Sequence, residues 1–110
     1  MEPKRGSVWW GPALFKEGDM YRPWLVLSDE MHPFAEEECI GVGLTTTPHD
    51  AGLLIESEYW SDGETPRKSY VSPWYCTTLK HTDFDRYQGT LEPAFVSEIS
   101  SQLVSYVDRD

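Results

Sequence analysis

The sequence predicts one small domain, mostly β with one C-terminal α-helix, folded as a strongly curved antiparallel sheet or partly open barrel. Three observations lead there. The chain has 110 residues, enough for one core and short of two domains. Its apolar runs are of strand length, and eight Gly and eight Pro fall between them like punctuation. Helical spacing of apolar residues occurs only near the end. The connections are too short for the crossovers that parallel strands need, so five to seven short antiparallel strands are expected.

The elements follow in order. Arg5-Gly6-Ser7-Val8-Trp9-Trp10 reads as the first strand, and residues 11–21 as a loop with Gly, Pro and Asp. Arg22-Pro23-Trp24-Leu25-Val26-Leu27-Ser28 reads as a buried strand. Pro23 has no amide to donate, so it belongs at the start of that strand. Residues 29–38 form an acidic loop around Pro33. Residues 39–46 form a third strand, where Gly41 and Gly43 permit a bulge or a close approach. Residues 51–60 continue as a strand, 61–67 as a polar turn, and 69–79 as one or two short strands broken at Pro73. Pro93 suits the first position of a helix. Val96, Ile99, Leu103 and Tyr106/Val107 then recur at helical spacing, with Ser97, Glu98, Ser101 and Gln102 on the other side. A helix over 93–107 that covers the sheet is the consequence.

Hydrophobic residues make up 39% and aromatics 14%, a load that favours a folded chain despite its charge. Nineteen acidic residues against nine basic ones give a formal net charge of −10. That field opposes general attraction to polyanions, and no basic stripe offsets it. It also suits a protein working in very high salt, as in a halophile. There self-repulsion is screened over about 3 Å at 1 M salt, and short-range contacts decide binding. No apolar run approaches the ~20 residues that span a bilayer, and Met1 to Arg5 lack the apolar core of a signal peptide. A cytoplasmic domain with no membrane partner is expected. Cys39 and Cys76 share no C-x-x-C spacing and read as two buried, reduced thiols.

Few residues carry recognisable chemistry. His32, His49 and His81 are widely separated and form no H-x-H or H-x-x-x-H pair. With Asp50 and Asp83 they read as solvated loop residues, and neither a metal nor a cofactor is expected. No phosphate-binding glycine loop, dinucleotide fingerprint or nucleophile elbow is present. Two features remain. Arg22 opens a strongly apolar strand directly before a proline, where its guanidinium fork can clamp an anion or form a structural ion pair. Thr45-Thr46-Thr47 ends the glycine-containing third strand, where hydroxyls can donate to a phosphate or simply serve the turn before Pro48.

Together these two features carry a resemblance. Arg5-Gly6-Ser7-Val8-Trp9-Trp10, a loop, and Arg22-Pro23-Trp24-Leu25-Val26-Leu27-Ser28 look like the opening of the MazF/PemK-like toxins of type II toxin–antitoxin systems. Gly41-Val42-Gly43-Leu44-Thr45-Thr46 is similar to their threonine-ending strand. Ser69-Tyr70-Val71, Thr78-Leu79 and Gly89-Thr90-Leu91 extend the likeness along the chain. It implies a PemK/CcdB-like, SH3-like barrel acting as a homodimer. It further implies metal-independent cleavage of single-stranded RNA, with Arg22 and Thr45 catalytic and Thr46 the register-slip alternative to Thr45. The partner would be a cognate antitoxin whose disordered tail fills the RNA groove.

Within that reading, splayed bases need stacking surfaces. Trp10, Tyr21, Trp74 and Tyr75 are candidates for this, or else core residues. The sequence departs from the pattern at Ser7, where an acid is usual, and over 11–21, which lacks the common G-S-E segment. Thr77 stands in the slot of a basic residue on the later strand. Lys80 would then supply RNA-binding charge, or Arg67 and Lys68 would. The alternative is a non-catalytic PemK-like module that binds RNA or protein. A gyrase-poisoning relative would end in a Trp-Gly-Ile-like tail, and this chain ends Tyr106-Val107-Asp108-Arg109-Asp110.

Overall fold

A computed structural model describes residues 2–13 and 20–108. Seven strands form one curled antiparallel sheet, a half-barrel, with one C-terminal helix. The elements are β1 (Ser7–Pro12), β2 (Tyr21–Val26), β3 (Glu38–Thr45), β4 (Leu53–Leu54), β5 (Trp60–Gly63), β6 (Tyr70–Lys80), β7 (Arg86–Leu91) and α1 (Pro93–Val107). In the sheet they lie in the order β4-β6-β3-β2-β1-β7-β5.

Strand alternation builds two apolar layers. Val8, Leu25, Val42, Leu44, Val71 and Leu91 meet Phe95, Val96 and Ile99 of α1 in the main core. The alternate positions Trp9, Trp24, Val26, Cys39 and Leu79 form a second cluster, against which Tyr75 and Phe84 pack. Helix α1 spans the segment its periodicity marks, with Pro in its first turn. Its burial ends early, however: Val104, Tyr106 and Val107 are exposed, Val107 at 73%. The last turn therefore projects past the sheet instead of covering it.

Other expectations change in the structure. The strand expected over 51–60 is reduced to the two residues of β4 and a 3-10 turn at Ser57–Tyr59. Strand β5 occupies part of the expected polar turn. In the expected loop over 11–21, Gly11 and Pro12 belong to β1 and Tyr21 to β2, and 14–19 lie outside the described residues. Cys39 is buried and Cys76 exposed, both as free thiols, so only the first matches the expectation of buried thiols. Burial, with the Glu38 carboxylate second, pushes the Cys39 thiol up to about 12. Among the described residues no helix is long and apolar enough to cross a membrane.

Strand β6 is one continuous strand through Pro73, not two short ones broken there. Val42 of β3 faces Cys76, while the next residue, Gly43, faces Ser72. Pro73-Trp74-Tyr75 therefore bulges out of the ladder, which re-aims side chains locally. That bulge shapes the candidate site.

Candidate active site

The register of β2 against β3 pairs Trp24 with Gly43 and Leu25 with Val42. Continued by two residues, it sets Arg22 across from Thr45. Directly opposed residues of an antiparallel pair project to the same face, so the guanidinium and the hydroxyl start from one side of the sheet. Gly43, across from Trp24 and two residues before Thr45 on the same face, leaves that face bare. A Cβ there would stand 2.7 Å from Tyr75 Cδ2 and 3.5 Å from Arg22 Cδ. The missing side chain is thus the space through which the arginine and the ring pack.

Tyr75 reaches this place because the bulge carries it over the ladder. Its ring lies 5.0 Å from the ring of Trp24, and the Arg22 guanidinium carbon sits 4.8 Å from its centroid. A cation over an aromatic face keeps its charge while losing conformational freedom. Arg22 Nε is buried without a hydrogen-bond partner. Among the described residues no carboxylate pairs with this guanidinium. The structural ion pair left open by the sequence is therefore absent among them.

Thr45 is half-buried at the end of β3. Its Oγ1 accepts the backbone N–H of Thr47 at 3.1 Å. A hydroxyl that accepts in this way still has its own proton to donate. Arg22, Thr45, Thr46 and Thr47 together line a cleft of about 340 Å³, within the usual size of ligand sites. Tyr21, Trp10 and Arg67 line the same cleft. No Asp or Glu is among its described lining residues, in a chain with nineteen acidic residues.

The segment between β5 and β6 forms one wall and is pinned at several points. Gly63 adopts φ +66, and a Cβ there would stand 2.3 Å from the Gln88 carbonyl oxygen, so only glycine fits the entry. The Gln88 side-chain amide donates to the Glu64 carbonyl. Its Oε1 accepts the Trp10 indole N–H at 2.6 Å. Further on, Thr65 Oγ1 and Ser69 Oγ both donate to the Arg67 carbonyl, each at 2.9 Å. Ser69 is only 5% exposed.

The other residues singled out in the sequence divide. Trp10 reaches the cleft, but the Arg86 guanidinium lies 4.8 Å from its ring centroid. Tyr21 is exposed beside the cleft. Trp74 is 45% exposed on the bulge, with the His49 ring 4.8 Å away. Tyr75 holds Arg22 and packs on Trp24. Lys80 pairs with Glu38 in the ladder, whereas Thr45 pairs with Tyr70. Seven residue steps along β3 separate those two positions, about 23 Å at strand rise, so the structure does not bring Lys80 to the cleft. Sequence reading did not separate Arg67 from Lys68; only Arg67 lines the cleft. Among the described residues no three of His, Cys, Asp and Glu gather as a metal site.

No sequence-family model and no curated protein sequence matches this chain. Solved structures do. An endoribonuclease from a mycobacterial species is 25% identical, with a TM-score of 0.72 over 96% of this chain and 90% of that one. An endoribonuclease solved with its cognate antitoxin, also mycobacterial, is 24% identical, with a TM-score of 0.69 over 94% and 91%. MazF from Deinococcus radiodurans is 18% identical and has a TM-score of 0.73 over 97% of both chains. Matches of this extent embrace the curled sheet, the C-terminal helix and the strands that carry Arg22 and Thr45, and the fold of this chain is accordingly the MazF-like fold.

Proposed function

We propose that the protein is an endoribonuclease toxin that cleaves single-stranded RNA and is neutralised by a cognate antitoxin. The observation that carries this reading is the cleft lined by Arg22 and Thr45, whose described lining residues include no carboxylate. An acidic chain that keeps such a cleft clear of described carboxylates is suited to a phosphodiester there. Similarity over nearly the whole chain to endoribonucleases, one of them solved with its antitoxin, supports both the activity and the partner.

The reaction needs little from the protein. The ribose 2′-hydroxyl attacks the phosphorus of its own 3′-phosphodiester, and the bond to the 5′-oxygen breaks. The 2′-proton passes to solvent and the leaving oxygen takes one up, giving a 2′,3′-cyclic phosphate and a 5′-hydroxyl. The nucleophile belongs to the substrate, so the reading requires no metal. Arg22 offsets the charge building on the non-bridging oxygens, and Thr45 donates to one of them. DNA lacks the 2′-hydroxyl and would bind without reacting. Trp74, exposed beside His49, offers a stacking face for a flanking base.

In this reading the toxin acts as a homodimer in the cytoplasm. The acidic surface suits a high-salt interior, where short contacts outweigh long-range repulsion. The test is incubation of the purified protein with a long unstructured RNA in EDTA, at 0.1 M and at molar salt, followed by mass spectrometry of the ends. Cyclic phosphates paired with 5′-hydroxyls are expected, with DNA and 2′-O-methyl RNA left intact. Tight RNA binding with no cleavage of any sequence would favour the non-catalytic module instead.

A further inference from the structure

We infer that Arg67 is a second phosphate-binding residue of the cleft, contacting the RNA backbone beside the one held by Arg22 and Thr45. This rests on the RNA-cleaving reading above. Arg22 and Arg67 are the two cationic side chains among the cleft's described lining residues. Strand β6 presents neutral Thr77 and Thr78, and Lys80 stands at the far end of the ladder. A nuclease with one arginine at a doubly substituted phosphate gains from a second cation, and gains more when the backbone carrying it is already held in place.

The backbone that carries Arg67 is held at the cleft's edge, and its exposed side chain is left to reach a phosphate. The tight Gly63 turn, the Gln88 bond to the Glu64 carbonyl, and the two hydroxyls on the Arg67 carbonyl fix the backbone that presents it. The same Gln88 also holds Trp10, so the wall is tied to β1 across the cleft. The side chain itself is exposed and has no ion-pair partner among the described residues. It stands next to Lys68, which carries the same charge but does not line the cleft. A planar fork matches phosphate oxygens at two points, which an ammonium does not.

Two readouts test the inference. The first is the fluorescence anisotropy of a labelled 2′-O-methyl RNA, which cannot be cleaved, titrated between 50 and 500 mM salt. The second is kcat/KM on the matching cleavable RNA. Arg67→Ala should weaken binding and kcat/KM each about tenfold. It should also reduce the slope of log K against log salt by about 0.7, the value of one phosphate contact on a single strand. Arg67→Lys should restore the slope and only part of the affinity. Lys68→Ala, the same charge loss one residue away, should change neither. An Arg67→Ala protein that binds and cleaves like wild type overturns the inference while leaving the nuclease reading intact. So does a Lys68→Ala protein with an equal loss, since net charge then explains the effect. Arg67-dependent binding by a wild type that never cleaves leaves the phosphate contact standing and removes the nuclease reading. A wild type that neither binds nor cleaves removes both.

Discussion

Replacing Gly43 with alanine tests the packing that holds the arginine. Gly43 does not have a positive φ, so alanine is conformationally acceptable. Removing a glycine would by itself add about 0.4–1 kcal/mol by restricting the unfolded chain. Against this, the new Cβ would stand 2.7 Å and 3.2 Å from two carbons of the Tyr75 ring. Ordinary carbon contacts lie near 3.5–4.0 Å, so the ring must retreat by about 1 Å. Trp24 lies against that ring, and overpacking of this kind costs about 1–3 kcal/mol. The expected net effect is a loss of up to about 2.6 kcal/mol, read from urea midpoints. The retreat also takes the ring from beneath Arg22, and a misplacement of about 1 Å in a reacting site costs up to about 100-fold. Single-turnover RNA cleavage at saturating enzyme should therefore fall by about 10- to 100-fold. The same substitution in a Tyr75→Ala background should cost less than it does alone, with a coupling energy of about 0.5–3 kcal/mol for residues in contact. A Gly43→Ala protein as stable and active as wild type would show that the ring does not hold the guanidinium through this gap.

Two further outcomes are expected. Thr45→Val keeps the shape but removes the oxygen that accepts the Thr47 N–H; stability should fall by about 1 kcal/mol and cleavage by about 10- to 100-fold, with RNA affinity nearly unchanged in anisotropy titrations. The Cys39 thiol is raised from 9.0 to about 12 by burial and then by Glu38, so between those values the unfolded chain binds fewer protons than the folded one, and stability should be flat for this group below about pH 8 and fall above pH 9 by up to ~1.4 kcal/mol per unit. Chemical denaturation at pH 8 and pH 10 should show that loss, and Cys39→Ala should remove most of it; an unchanged slope in Cys39→Ala would assign the alkaline loss elsewhere, for instance to Tyr87, whose phenol is also raised, by burial first and then by Asp62.

Local pattern was a sound guide wherever one face decides burial. Helix α1 was legible from Pro93 and the spacing of Val96, Ile99 and Leu103, because only a 3.6-residue period places them on one side. Strands β2 and β3 were legible from their apolar runs. Strand β7, Arg86-Tyr87-Gln88-Gly89-Thr90-Leu91, mixes exposed and buried positions and gave no strand signal of its own. Its place is decided by pairing with the distant β1. At the site, Arg22 and Thr45 stood out as residues, but the role of Tyr75 did not. That role depends on three residues of β6 bulging opposite Gly43, a property of pairing between segments thirty residues apart. The wall that carries Arg67 is likewise tied down from a distance, by the Gln88 amide on the Glu64 carbonyl, which no neighbouring residue announces. Lys80 looked as suitable by charge, and only the register of β6 shows which end of the sheet it occupies.

The most direct measurement is single-turnover cleavage of an unstructured RNA by wild type and Arg22→Ala, in EDTA, with the ends identified. Removing one donor that stabilises transition-state charge costs about 3 kcal/mol. Wild type should leave 2′,3′-cyclic phosphates, and Arg22→Ala, folded by circular dichroism, should be slower by about 100- to 1,000-fold. A folded Arg22→Ala protein that cleaves at the wild-type rate would contradict the assignment of this guanidinium to the scissile phosphate.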